Sequence, residues 1–268
     1  MPHIQAGGIG IYYEIAGAGE KLLFIYGSGG DLRAHPNAFD SPLVKHYQVL
    51  GYDQRGLGRT DKPDRPYTMH EYADDAAALM DALGWPRAHV IGISFGGMVA
   101  QHLAIRHPVK VNRLVLGCTS AGGTAGASYP LHELTGMDIE ARARYVVSLS
   151  DTRHDAAWQA KHADAFAAIV QQQIDAATIG ADDPAKAMGA RRQLEARSDH
   201  NTFAQLGGIR SPTLLCAGRY DGIAPLSNMQ AMQQKIPDAR LEIFEGGHLF
   251  WLQDKRAYEE IIRFFQQG

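Results

Sequence analysis

The sequence contains only two cysteines, Cys118 and Cys216. Each lies in an apolar, strand-like run, which is the usual setting of a small buried thiol. Two cysteines are too few for the disulfide framework that stabilises small secreted domains. This scarcity predicts a protein of a reducing compartment.

Long apolar runs and a large net charge are also missing. No apolar run approaches the roughly 20 residues that a membrane-spanning helix requires. The first residues, MPHIQAGGIGIYYE, lack the basic segment and apolar stretch of a secretory signal. The net charge is −3 and the isoelectric point is about 6.4, so the composition offers no general attraction to nucleic acid or anionic membranes. We therefore expect a cytoplasmic protein that binds neither nucleic acid nor membrane.

The sequence does contain a repeated alternation of short apolar runs with helical patterns. KLLFIY, at residues 21–26, is a continuous apolar run typical of a strand covered on both faces. Thr68 and Glu71 form a capping box at the start of a helix that Gly84 ends. The predicted strands are residues 11–15, 21–26, 47–52, 88–93, 111–118, 213–218 and 239–244, and the predicted core helices are residues 68–83, 95–107, 225–236 and 254–266. This alternation indicates an α/β fold with a mostly parallel sheet and helices on both faces.

Residues 121–208 interrupt the alternation, because they contain no convincing strand. They are rich in Ala, Gln and Arg, and helical patterning occurs at residues 138–148, 154–179 and 184–197. The sequence therefore predicts a core formed by residues 1–120 and 209–268, with a helical cap, residues 121–208, inserted into it. The cap is expected over the carboxyl edge of the sheet, where ligands bind in open α/β folds.

The strongest chemical motif is G-x-S-x-G, present as Gly92-Ile93-Ser94-Phe95-Gly96. It lies between a predicted strand and a predicted helix, which is where a nucleophile elbow occurs. The turn is so tight that side chains two positions before and two positions after the serine would collide, and glycine at both positions removes the clash. The motif predicts that Ser94 is a nucleophile.

A serine hydroxyl needs a base that removes its proton. Of the twelve histidines, His248 directly follows the last predicted strand, so it belongs at the same sheet edge as Ser94. Gly246 and Gly247 before it indicate a turn that aims its ring. The base in turn needs a carboxylate, and Asp221 follows the strand TLLCAG. Asp53 is the other carboxylate at a sheet edge, and we interpret it as a structural group near Arg55.

Motifs for metals and nucleotides are incomplete in this sequence. His132-Glu133 lacks the second histidine of H-E-x-x-H, and the run GSGGDL has Leu32 where G-x-G-x-x-G requires glycine. No phosphate-binding G-x-x-x-x-G-K-[ST] sequence is present. We expect no metal and no cofactor.

Taken together, the segments YGSGG, YDQRGLGRTDKP, GISFGG, GRYDGIAP and GGHLFW resemble those of the α/β-hydrolase family. The resemblance runs from about residue 11 to residue 265 and implies an eight-stranded, mostly parallel sheet with a helical cap. It is closest to the group that contains esterases, 3-oxoadipate enol-lactonases and carbon–carbon bond hydrolases, and it extends to cofactor-free haloperoxidase-like esterases. Ser94 argues against haloalkane dehalogenases and epoxide hydrolases, which use aspartate at that position.

The resemblance also implies an oxyanion hole. One backbone N–H would come from Phe95, directly after the nucleophile, and by position the other would come from Ser28. Relatives usually carry His-Gly where this chain has Tyr26-Gly27. Because of that departure, Gly29 is an alternative to Ser28 as the second donor.

The expected reaction is hydrolysis of a small-molecule carboxylic ester or lactone through an acyl-enzyme on Ser94. Two alternatives are a carbon–carbon bond hydrolase of meta-cleavage-type diketones and a ligand sensor that keeps the triad. Substrate-binding residues are expected in Trp158 of the cap and in Phe250 and Trp251 below it. Arg33, Arg191 and Arg192 are candidates for binding a substrate carboxylate. The oligomeric state does not follow from the sequence.

Overall fold

The computed structural model describes residues 2–267 and contains one eight-stranded sheet. Its strands are β1 (His3–Ala6), β2 (Ile9–Ala16), β3 (Glu20–Ile25), β4 (Tyr47–Tyr52), β5 (Ala88–Ile93), β6 (Val111–Gly117), β7 (Thr213–Gly218) and β8 (Arg240–Phe244). They lie in the order β1-β2-β4-β3-β5-β6-β7-β8. The first two pairings, β1 with β2 and β2 with β4, are antiparallel, and the other five are parallel. The predicted α/β fold class is confirmed.

The central strands are mostly apolar because both faces of the sheet are covered. Every residue of β5 and β7 is buried. The register pairs Ile25 with Gly92, Ile93 with Gly117, and Gly117 with Cys216. The carboxyl ends of β3, β5, β6 and β7 therefore meet at one edge of the sheet.

Five α-helices flank the sheet. They are α1 (Met69–Ala82), α2 (Phe95–Arg106), α7 (Leu226–Gln233), α8 (Phe250–Gln253) and α9 (Arg256–Phe265). Side chains of α1, α2 and α7 fill a hydrophobic cluster on one face, and those of α8 and α9 fill a cluster on the other. The predicted capping box at the start of α1 is present, with Thr68 and Glu71 each bonding the other's backbone N–H. The short helix α8 has no counterpart among the predicted elements.

The segment between β6 and β7 is helical, as predicted. It contains α3 (Ile139–Ser150), α4 (Ala156–Lys161), α5 (Ala163–Thr178) and α6 (Lys186–Ser198). Helices α3 and α5 share a small hydrophobic cluster of their own, formed by Ala143, Val147, Phe166 and Val170. Within residues 2–267, no helix combines the length and the apolarity needed to cross a bilayer.

The helical patterning at residues 154–179 corresponds to two helices, α4 and α5, with a break between them that the pattern did not show. The break is at His162, whose φ of −126° and ψ of 44° are not helical. The His162 Nδ1 atom lies 3.0 Å from the Trp158 carbonyl oxygen at this break. The stretch contains neither glycine nor proline, so its sequence gave no signal of the break.

Candidate active site

Ser94 lies at the tip of the turn between β5 and α2. Its φ of 55° and ψ of −117° are strained for a residue with a side chain. A Cβ on Gly92 would collide with the Gly96 carbonyl, and a Cβ on Gly96 would collide with the Ile25 carbonyl. The Ser94 N–H donates to the Gly117 carbonyl at 2.9 Å. The flanking glycines and the neighbouring strands thus hold the strained backbone that projects the hydroxyl from the sheet edge.

Three side chains form a continuous hydrogen-bonded chain at this edge. Ser94 Oγ lies 3.0 Å from His248 Nε2, and His248 Nδ1 lies 2.8 Å from Asp221 Oδ2. The other oxygen of Asp221 accepts the N–H groups of Ile223 and Ala224, both at 2.8 Å. Asp221 is 5% exposed and His248 is 8% exposed. The carboxylate is therefore fixed, and with it the orientation of the imidazole.

The loop that carries His248 is held by the helical segment between β6 and β7. The His248 N–H donates to the Ser150 carbonyl at 2.6 Å. A Cβ on Gly247 would collide with that same carbonyl, so the chain needs glycine before the histidine. The Gly247 N–H donates to Oε1 of Gln253 at 2.7 Å. The end of α3 and the helix α8 together position the imidazole.

Electrostatics at His248 favour the protonated ring. Burial alone lowers the pKa of His248, but the neighbouring Cys118 and Asp221 groups outweigh that effect and raise the pKa well above its ordinary value. An anionic partner on one ring nitrogen stabilises the imidazolium. The ring is therefore suited to take a proton from a hydroxyl and to keep it during a reaction.

Cys118 is a neighbour of this site that sequence reasoning took only as a buried thiol. It is buried and free, as expected, and it also lies beside Asp221 and His248, with the three ligand atoms within 4.8 Å of one another. Among residues 2–267 this is the one cluster with metal-ligating groups at such spacing. Both carboxylate oxygens and both ring nitrogens are already hydrogen-bonded, and burial raises the pKa of the Cys118 thiol. The available signal was the position of Cys118, directly after β6 at the carboxyl edge.

The loop after β3, residues 26–30, lies beside the serine, and we call it the oxyanion loop. A Cβ on Gly27 would stand 3.4 Å from Ser94 Cβ. A turn closes the loop, with the Gly30 N–H donating to the Gly27 carbonyl at 3.2 Å. The Gly29 N–H donates to Gln193 Oε1 at 2.8 Å, so it is already in use. This bond favours Ser28 over Gly29 as the predicted second donor, and Phe95, the predicted first donor, is the first residue of α2.

Asp53 has the structural surroundings that the sequence interpretation gave it. It is fully buried and accepts the N–H groups of Leu32 at 2.7 Å and Arg59 at 2.8 Å. Its charged partner, however, is Arg59 and not Arg55, which pairs with Asp75. The expectation of Arg55 as the neighbour is wrong, because the Arg55 side chain reaches α1 instead.

The aromatic side chains expected at the substrate lie in different surroundings. Phe250 is 1% exposed and stacks on Phe244 at 5.0 Å between ring centroids, a position that favours a core role. Trp251 is half-buried against the same hydrophobic cluster. Trp158 is half-buried in α4, between the rings of His154 and His162. Of the three, Trp158 is the one that the structure keeps outside the core of the sheet.

The three arginines expected to meet a substrate carboxylate already have acidic partners. Arg33 pairs with Asp31 at 2.7 Å. Arg191 and Arg192 both lie near Glu195, and Arg192 also reaches Asp64. A substrate carboxylate would therefore compete with these acidic groups for each arginine.

Comparison with known proteins points to one family. The sequence profile of the alpha/beta hydrolase fold family matches residues 21–255. The chain is 31% identical to 2-hydroxymuconate semialdehyde hydrolase of Pseudomonas sp. (strain CF600), covering 95% of this chain and 88% of that protein. It is 29% identical to poly(3-hydroxyalkanoate) depolymerase of Ectopseudomonas oleovorans, covering 92% and 84%. The crystal structure of the enol-lactonase from Burkholderia xenovorans LB400 superposes with a TM-score of 0.81 at 24% identity, over the whole of both chains.

Proposed function

Because this chain belongs to the α/β-hydrolase fold family, we propose that it is a hydrolase of carboxylic esters or lactones that works through an acyl-enzyme on Ser94. The observation that carries the proposal is the chain from Ser94 Oγ to His248 Nε2 at 3.0 Å and from His248 Nδ1 to Asp221 at 2.8 Å. This constellation suits acyl transfer, since it supplies a nucleophile, a base and an orienting carboxylate.

In the first half of the reaction, Ser94 Oγ attacks the carbonyl carbon while His248 takes the hydroxyl proton. Asp221 holds the Nδ1–H tautomer and stabilises the imidazolium that forms. The N–H groups of Phe95 and Ser28 would receive the developing oxyanion, each contributing about 3–4 kcal/mol to the transition state. His248 then gives its proton to the departing alkoxide or enolate, which leaves the acyl group on Ser94.

In the second half, water replaces the leaving group. His248 removes a proton from the water as it attacks the acyl carbon, and the same two N–H groups stabilise the second oxyanion. The proton then returns to Ser94 Oγ and the acid is released. The triad and the two backbone donors are sufficient for both halves.

Two relatives bear on the substrate. The poly(3-hydroxyalkanoate) depolymerase supports ester cleavage, because hydroxyalkanoate units are joined by ester bonds. The 31% identity to 2-hydroxymuconate semialdehyde hydrolase supports a second candidate, carbon–carbon bond cleavage of a vinylogous diketone. The same triad can carry out both reactions, so only assays with substrates of each kind distinguish them.

The test is a substrate panel assayed on the purified chain and on the Ser94→Ala variant. The panel contains p-nitrophenyl esters, alkyl esters, lactones and a meta-cleavage-type diketone. The proposal expects turnover of esters or lactones that the Ala variant loses. Turnover of the diketone alone would replace the proposed function with the carbon–carbon alternative. Binding without turnover, together with a ligand-dependent protein partner, would favour a sensor.

A further inference from the structure

Two buried glutamines hold the oxyanion loop from two directions. Nε2 of Gln54 donates to the Tyr26 carbonyl at 2.9 Å, at the start of the loop. Oε1 of Gln193 accepts the Gly29 N–H at 2.8 Å, near its end. Each glutamine is 1% exposed. The loop is therefore held at both ends by side chains that do not belong to it.

The two glutamines come from different parts of the chain. Gln54 follows β4, so it belongs to the core that surrounds the sheet. Gln193 belongs to α6, in the helical segment between β6 and β7. A backbone N–H beside the nucleophile is thus bound by a helix that lies outside the sheet and its flanking helices.

Helix α6 is seated so that Gln193 can reach the loop. Gly189 lies one turn before Gln193 on the same face of the helix. A Cβ on Gly189 would collide with the Gly56 carbonyl, so only glycine permits this close approach. The close contact between Gly189 and Gly56 brings this face of α6, and with it Gln193, near the core.

The surroundings of Gln193 also fix which of its two amide atoms faces the loop. Since the Gly29 N–H is a donor, the atom that faces it must be the carbonyl oxygen. The Nε2 group is buried and has no protein partner within residues 2–267. Oε1 of Gln193 therefore has a defined partner, the Gly29 N–H.

We propose that Gln193 is a positioning residue: by binding the Gly29 N–H it fixes the neighbouring Gly27–Ser28 peptide, which carries the Ser28 N–H, so that the oxyanion hole is complete only while α6 is seated on the core. This inference rests on the proposed function. Gly27, Gly29 and Gly30 give the loop wide conformational freedom, and Gly29 has a φ of +71°. Fixing such a backbone costs conformational entropy, and the bond to Gln193 offsets part of that cost before the reaction begins.

A purely structural role for Gln193 makes a different prediction. Gly29 is exposed, so solvent can satisfy its N–H when the glutamine is absent. A structural role would then alter stability or leave the protein unchanged. A positioning role alters the transition state, and so it lowers kcat and leaves KM nearly unchanged.

The experiment replaces Gln193 with methionine, which has a similar shape and cannot accept the Gly29 N–H. The control is Gln171→Met, at an exposed glutamine of α5 that bonds only Asp175. We expect Gln193→Met to lower kcat on the best ester by about 10- to 100-fold, somewhat less than full loss of an oxyanion donor, with KM within about threefold. Affinity for a trifluoromethyl ketone analogue of that ester should fall by the same factor as kcat. The control should match the wild-type chain in all three measurements.

Amide exchange supplies a second measurement that needs no substrate. Exchange over residues 26–30, followed by mass spectrometry, should accelerate in Gln193→Met and not in Gln171→Met. If Gln193→Met does not fold, Gln193→Asn, whose shorter side chain cannot reach Gly29, takes its place. Unchanged kcat and analogue affinity in a folded variant would overturn the inference, as would unchanged exchange. If the wild-type chain cleaves no ester, the proposed function fails, and exchange alone still decides whether Gln193 orders the loop.

Discussion

At the scale of single residues, the candidate site holds ionisable side chains that are almost completely buried. His248 is 8% exposed, yet its pKa is raised because Asp221 and Cys118 lie against it. Asp221 is held in place beside it, because its carboxylate accepts two backbone N–H groups as well as the imidazole N–H. The base therefore begins the reaction already oriented, and both Cys118 and Asp221 raise its pKa.

The pKa of His248 predicts the pH dependence of activity. Since the folded pKa lies above the ordinary value of 6.5, the ring loses its proton only above that pH. The value of kcat/KM should therefore rise with pH and reach half its maximum above pH 6.5. A midpoint at or below 6.5 in a full pH–rate profile would contradict the raised pKa of His248.

Replacement of the carboxylate tests the same arrangement. Asp221→Asn should lower kcat by about 10⁴-fold, because the imidazole loses its tautomer control. The acid limb of the profile should also move to lower pH, since one of the two groups that raise the His248 pKa, Asp221, no longer carries a charge. Asp53→Asn is the matched control, and it should reduce stability through its lost contacts with Leu32 and Arg59 without moving the limb. Reversed effects of the two variants would mean that the wrong carboxylate was chosen.

At the scale of elements, the sequence predicted most of the sheet and part of what surrounds it. The strands at residues 47–52, 88–93 and 213–218 were predicted at their observed bounds. Mostly apolar runs of this length mark strands that are buried on both faces. The nucleophile, base and acid could be found because each follows a recognisable strand. Each of these signals lies within a short stretch of sequence, and the parallel sheet brings the three residues together at one edge.

Contacts between distant segments were not predictable in the same way. The break at His162 lies in a run with uninterrupted helical composition. Cys118 was assigned to a strand, and only the fold brings it to His248. Gln193 and Gly29 are 164 positions apart, and no periodicity links them. The contact between Gln193 and Gly29 depends on how α6 packs onto the core. Packing between distant segments leaves no short pattern in the sequence.

The seating of α6 can be tested at Gly189. A Cβ there would meet the Gly56 carbonyl, so Gly189→Ala must lift or tilt the helix. We expect the free energy of unfolding to fall by about 1–3 kcal/mol, the usual range for an overpacked contact. Gly136→Ala is the control, because a Cβ at that position meets nothing within 4 Å. Urea unfolding of both variants is the measurement, and equal stabilities would show that α6 is not held at this contact.

At the scale of the whole molecule, buried histidines link the core to the helical segment above it. His102 of α2 lies 3.3 Å from His200, between ring nitrogens, and both side chains are buried. Burial lowers the pKa of His102 to about 3 and that of His200 to about 4. Both rings are therefore neutral in the folded protein under conditions where an unfolded chain would protonate them.

These shifts predict loss of stability in acid. Between pH 6.5 and about 4 the unfolded chain binds more protons than the folded one, so the free energy of unfolding falls as pH falls. The slope is about 1.4 kcal/mol per pH unit for each histidine, or about 2 kcal/mol each between pH 6.5 and pH 5. Urea unfolding at pH 7 and pH 5 measures the loss, and His102→Gln should reduce it. An unchanged pH dependence in that variant would contradict the assignment.

The proposed mechanism requires Ser94 to be the nucleophile, and covalent labelling tests this most directly. Treatment with a fluorophosphonate, followed by intact-mass measurement and peptide mapping, should show one adduct per chain, located on Ser94. The Ser94→Ala variant should take up no label and should lose turnover by up to about 10⁶-fold. Labelling on a different residue, or an Ala variant that keeps its activity, would contradict the proposed mechanism.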